Sequence, residues 1–235
     1  MRIAWKILVA LLLVVGGAIA WWQFNFPAVS YRYRLTVAVE TDGEVHSGSS
    51  VIKLLFRFVP KWLPPSGGTY NVWFTGQAAL IDLGVRGALV VALSDYPPDP
   101  SVVNASLLPS CAFLPAAWKD ARDSPTTPKN QLAVALAKGP ADLGPGCMPA
   151  FYWFSNPADL AGAKEVKPAD FASVIGDATR LVSAQVEITL DPLVIDLDKK
   201  LPAYATLTAP PNNGIYTTPG GLTLGSGMFI AGNER

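Results

Sequence analysis

Hydrophobic and polar positions divide the chain into one continuous apolar run and a long stretch of alternation. Residues 7–31 are 25 consecutive uncharged positions, opened by Arg2 and Lys6. Residues 7–20 (ILVALLLVVGGAIA) are wholly apolar. Continuing through Trp21, Trp22 and Phe24 gives the roughly 20 residues a helix needs to cross about 30 Å of hydrocarbon. Two fates fit this pattern. A basic start followed by Ala18-Ile19-Ala20 has the form of a cleavable leader, whereas Trp21 and Trp22 suit the membrane–water interface of a retained anchor. Two indoles directly after a cut favour retention. With Arg2 and Lys6 on the short side, the positive-inside rule assigns the amino terminus to the cytoplasm. The expected organisation is a signal-anchor helix over residues 1–26 in a bacterial inner membrane, then a periplasmic domain over residues 27–235.

Past Pro27 the period changes. Tyr31, Tyr33, Leu35, Val37 and Val39 alternate with Arg32, Arg34, Thr36 and Glu40, which predicts a half-buried strand. Asp42-Gly43 supplies a hairpin turn, and residues 45–59 form the return strand. After a Pro/Gly-rich loop at 60–68, residues 70–83 and 88–93 read as two more strands, completing a four-stranded antiparallel meander. Pro97, Pro98, Pro100 and Pro109 then suggest an extended surface excursion over 95–111, within a proline-rich insertion at 94–150. Inside it, Thr127-Pro128 to Gly139 has the cap, first-turn proline and glycine stop of one short helix. A second short helix is expected from Pro168 to Gly176, with Phe171, Val174 and Ile175 on one face. Residues 181–190 alternate again, setting Val182, Ala184, Val186, Ile188 and Leu190 against Ser183, Gln185, Glu187 and Thr189. The fold class is therefore mainly β (α+β), an antiparallel domain with a few short helices. Asn212-Asn213-Gly214 and Pro219-Gly220-Gly221 predict one or two further β elements in a C-terminal extension, 203–235, whose added edge suits a partner.

The residues 31–50 (YRYRLTVAVETDGEVHSGSS) and 156–202, especially FASVIG, VEITLDP and DKKLP, resemble a family of uncharacterised, membrane-anchored proteins of alphaproteobacteria. The resemblance implies membership and a fold, not an activity.

Composition excludes some functions. Beyond Arg2 and Lys6, 16 basic and 18 acidic residues remain, a net charge of minus 2, which does not suit nucleic acid. Cys111 and Cys147 are an even pair in the exported part and lie outside any C-x-x-C motif, so a structural disulfide is expected. Closing that loop stabilises by roughly 3 to 4 kcal/mol.

Candidate chemistry is sparse. His46 is the sole histidine; Ser47, Ser49 and Ser50 are close in sequence, but strand geometry alternates them and no orienting third group is visible. Asp95 with Asp99, or Asp191 with Asp196 and Asp198, have the chemistry for calcium but no EF-hand spacing. Glu40, Asp42 and Glu44 crowd a hairpin tip. Neither a cofactor nor a transition-metal site is predicted. Among the aromatics, Trp73-Phe74 and Phe151-Tyr152-Trp153-Phe154 are expected in the core, and Trp62, in a proline-rich loop, on an interaction surface. The expected function is a membrane-anchored periplasmic binding or assembly module with a protein partner. An accessory subunit of a larger inner-membrane complex and a cell-envelope hydrolase with a carboxylate-based site are the alternatives.

Overall fold

The computed structural model describes residues 2–60, 70–95, 102–119, 126–212 and 214–232; Trp62 and Asp99 lie outside the described residues. Helix α1 (Arg2–Asn25) comes first, and within it Trp5–Asn25 is long and apolar enough to span a membrane, with none of that window buried by the rest of the chain. The Phe26 amide donates to the Trp22 carbonyl, and the Phe26 ring packs 5.0 Å from that of Trp22. Pro27 has no amide with which to continue the helix, and strand β1 (Ala28–Thr41) starts at the next residue.

β1 turns through Asp42 and Gly43, at φ 53° and 84°, into β2 (Glu44–Phe58). Two successive positive φ values match the twist of a tight hairpin. Their register runs from Ala28 opposite Arg57 to Thr41 opposite Glu44. Tyr31, Tyr33, Leu35, Val37 and Val39 are buried with Ile52, Leu54 and Phe56, while Arg32, Arg34 and Lys53 take the other face. β3 (Tyr70–Gln77) continues the sheet beside β2. There the expected meander stops. Ala78 separates β3 from β4 (Ala79–Asp82), which pairs only with β5 (Ala88–Val91) in a second sheet. The stretch read as one strand over 70–83 is thus two strands with a bend between them.

The middle third forms α2 (Leu108–Phe113), α3 (Pro115–Lys119), α4 (Pro128–Ala135), β6 (Pro140–Asp142), β7 (Phe151–Phe154) and β8 (Ala163–Glu165). The last third adds α5 (Phe171–Val174), β9 (Arg180–Thr189), α6 (Leu197–Lys200), α7 (Pro202–Thr208), β10 (Ile215–Thr217), β11 (Thr223–Gly225) and β12 (Ile230–Ala231). The larger sheet has the order β12-β3-β2-β1-β9-β6, the second β4-β5-β7-β8, and β10-β11 form a hairpin. All strand pairs are antiparallel.

The inner faces of the two sheets enclose the main core, with Leu54, Phe56, Ile81, Leu89, Val91 and Phe151 fully buried. Contact is closest at Gly48, where a Cβ would lie 2.2 Å from the Leu80 carbonyl oxygen, so only glycine lets β2 and β4 cross this tightly. The other face of the second sheet carries a smaller core, in which Tyr152 and Phe154 meet Leu197, Leu207, Leu224 and Phe229. Being covered on both sides, β7 reads FYWF without alternation.

Three further expectations change on contact with the structure. The described part of the excursion is not on the surface: Val103, Ala105, Leu108 and Ser110 are buried, and Pro109 sits in the first turn of α2, where a missing amide costs nothing. Val182 and Leu190, expected to face inward, are 45% and 95% exposed. Ala38 faces Ser183 but Val39 faces Leu181, so Val182 is the extra residue of a β-bulge that reverses the phase of β9, and Leu190 lies past its end. The C-terminal extension contains the expected β elements but also α7, and its Leu207, Leu224, Met228 and Phe229 are buried against the second sheet while β12 covers the edge of β3.

Candidate functional site

An open cleft of about 470 Å³ lies beside the disulfide, built by four separate stretches of chain. Cys111 in α2 and Cys147 are bonded, as expected, with Cα atoms 5.8 Å apart. The bond ties α2 to the turn Pro145–Cys147, so Pro145 and Met148 form one wall. Phe151 makes the floor; its ring meets Phe171 edge-on at 5.4 Å. The Val166 amide donates to the Phe151 carbonyl at 2.9 Å, which brings Val166 and the turn carrying Pro168 and Ala169 into the lining. Leu181, opposite Val39 on the far side of the bulge, adds to the lining. Glu165 and Lys167 are the charged side chains of the lining, both exposed at the rim. A concave apolar surface with a few polar groups is the usual form of a ligand or peptide site. No single stretch marks it in the sequence; the disulfide was the one legible part.

The end of the domain far from α1 is organised by charge. The Arg86 guanidinium donates to both Asp42 carboxylate oxygens, at 2.6 and 2.7 Å, and to the Ile175 carbonyl at 3.0 Å, while the Arg86 carbonyl accepts from the Trp153 indole at 2.8 Å. These hydrogen bonds hold the Asp42 carboxyl below the usual carboxylate range and push the guanidinium up. Glu40 pairs with Arg180. The crowded acids of the hairpin tip are therefore partners in ion pairs, apart from the exposed Glu44.

The other residues singled out do not converge. His46 lies opposite Val39 and half-buried, with its influence falling on Asp42. Ser50, nearby in sequence, is buried and spends its hydroxyl on the Gln77 carbonyl at 2.6 Å. Asp191 pairs with Arg34; Asp196 accepts from Lys200 and Gln77, both at 2.9 Å, which lowers its carboxyl pKa. Among the described residues no three His, Cys, Asp or Glu side chains form a metal-binding group. Phe151, Tyr152 and Phe154 are buried as expected, but Trp73 is 50% exposed, because in the pair Trp73-Phe74 only one ring can face the core and Phe74 takes that place. The Arg57 guanidinium lies 5.6 Å from the Trp73 ring centroid, a cation–π contact. Trp21 and Trp22 lie exposed in the last turns of α1, beside a recess lined by Trp22, Phe26 and Pro27.

No protein-family model, curated protein or solved structure matches the chain.

Proposed function

We propose that the chain is a single-pass, membrane-anchored binding module whose domain stands in the periplasm and receives an apolar segment of a protein partner in the cleft between Met148 and Ala169. The observation that carries this reading is the cleft, about 470 Å³ lined almost wholly by apolar side chains and braced by a covalent bond at Cys147. Burial of an apolar side chain there contributes roughly 1.5 to 3 kcal/mol. Glu165 and Lys167 at the rim select the register of the bound segment. α1 supports attachment to the inner membrane, and the disulfide supports an oxidising compartment. An accessory subunit of a larger membrane complex is the same activity seen from the partner's side. A carboxylate-based hydrolase gains nothing from this geometry, since among the described residues Glu165 is the single carboxylate lining the cleft.

A photo-crosslinking residue at Ala169, in cells carrying the full chain, tests the proposal. It should trap a discrete protein in the membrane fraction, and the adduct should disappear when Pro145→Glu places a charge in the cleft lining. A crosslinker at the fully exposed Val85 should trap nothing of the kind. An adduct that survives Pro145→Glu, or no adduct at Ala169, rules the cleft out.

A further inference from the structure

On the α1 side of the domain, at the β9 edge of the larger sheet, large apolar side chains stand in solvent among cations. β1 begins at Ala28, directly after Pro27, and Thr189 pairs with Arg32 four residues along it. At about 3.3 Å per residue, this row lies about 13 Å from the strand's start. Beyond Thr189 comes Leu190, 95% exposed. It is held there because the Arg32 guanidinium donates to the carbonyls of Leu190 and Asp191, at 3.3 and 3.1 Å. On the neighbouring element, α4 is fixed at the same height by Gln131, whose side chain accepts from the Tyr31 hydroxyl and donates to Ser110, both at 2.8 Å. Since Gln131 and Val134 face the core, Leu132 and Leu136 face outward, 53% and 70% exposed, one turn apart on one stripe. Lys129 precedes them on α4 and Lys138 follows, both exposed. Pro140 pairs with Glu187, two residues before Thr189, so the chain that leaves α4 through Lys138 and Gly139 arrives at the same end of β9. The nearby acids Asp191 and Glu187 share Arg34, and with Arg32, Lys129 and Lys138 the four cations outnumber the two carboxylates.

A soluble face with three exposed leucines and two lysines needs a covering. Two features say which. This corner lies at the end of β1 where the chain enters from α1, and its charge is positive, the complement of phosphate. Leucines with interspersed lysines are the composition by which surface helices lie in a headgroup layer. We infer that Leu132, Leu136 and Leu190 dip into the anionic phospholipid headgroup layer of the bilayer that holds α1, with Lys129 and Lys138 gripping lipid phosphates. The domain leans on this corner about the short link at Phe26 and Pro27. This rests on the membrane anchorage given under the proposed function.

The test uses the full chain in nanodiscs, with spin labels on single substitutions; Cys111 and Cys147 are bonded and do not react. Labels at Leu136→Cys and Leu190→Cys should report interfacial depth, accessible to oxygen and shielded from a water-soluble nickel chelate, when the lipid contains phosphatidylglycerol. A label at Val85→Cys should read as aqueous and one at Leu13→Cys as hydrocarbon. Lys129→Gln and Lys138→Gln should each lower the docked population about fivefold. Labels at 136 and 190 as aqueous as that at 85 overturn the inference. So does protection from both oxygen and nickel, which marks a second copy of the chain, and so does identical depth in purely zwitterionic lipid. An aqueous label at 13 is a different failure, that of the anchorage itself.

Discussion

The two ends of the β1–β2 hairpin are built from the same strands and finished in opposite ways. At the distal end most of the charge is paired within the domain, Asp42 with Arg86 and Glu40 with Arg180, and the Arg86 carbonyl accepts from Trp153, although Val45 and Val85 stand exposed. At the proximal end the polar groups are satisfied internally, through Tyr31, Gln131 and Ser110, while Leu132, Leu136 and Leu190 are left uncovered. An end that faces water throughout is closed with charge. The proximal end keeps three large leucines outside, and the proposed lipid contact rests on that difference.

Breaking the distal end gives the largest expected effect. Gly87 has φ 87°, and a Cβ there would lie 2.1 Å from the Phe154 carbonyl oxygen. Gly87→Val combines backbone strain with overpacking and should cost on the order of 4 kcal/mol, read from a denaturant midpoint. Loosening the insertion that covers the proximal half comes next. Replacing Cys111 and Cys147 together by Ser should cost about 3 to 4 kcal/mol in a two-state denaturant titration and leave membrane fractionation unchanged. A loss well below 1 kcal/mol would show that buried contacts, rather than the bridge, hold α2 in place. The smallest effect sharpens the comparison. Because the Arg86 hydrogen bonds depress the folded carboxyl of Asp42 below its ordinary 3.8, its stabilisation is complete above that value and fades as pH falls through the lower folded value. Asp42→Asn should therefore destabilise at neutral pH and flatten the acid side of the stability profile below about pH 4. As an exposed pair, Asp42 and Arg86 should show only a modest, salt-sensitive difference.

Much of the larger sheet is legible because one of its faces is wet. Tyr31 to Val39 alternates with arginines, and the eye can follow it; Asp42-Gly43 announces the turn. The same reading fails where burial is double, irregular or assembled from afar. Tyr152 and Phe154 face a second core that only the folded tail provides, so their strand shows no period. Val182 is an apolar residue in a bulge, and nothing in its identity betrays the change of phase. Ala78 bends the chain between two sheets without a proline to mark it. The prolines near Pro109 suggested exposure, yet this one begins a buried helix. The cleft was illegible for the last of these reasons: Pro145, Met148, Ala169 and Leu181 become neighbours only once the bridge, the two sheets and the bulge are in place.

β1 follows α1 at Ala28 and runs without interruption to Thr41, with β2 on one side for its whole length and β9 on the other from Arg32 to Glu40. Both neighbours are antiparallel, so their hydrogen bonds lie across the strand. A tug on the anchor along the strand axis therefore loads these rows together in shear, instead of opening them one at a time as a zipper. A strand of this length extends about 45 Å. The domain is coupled to α1 as a stiff beam clamped along both edges, and a force at either end reaches the other without first stretching a tether.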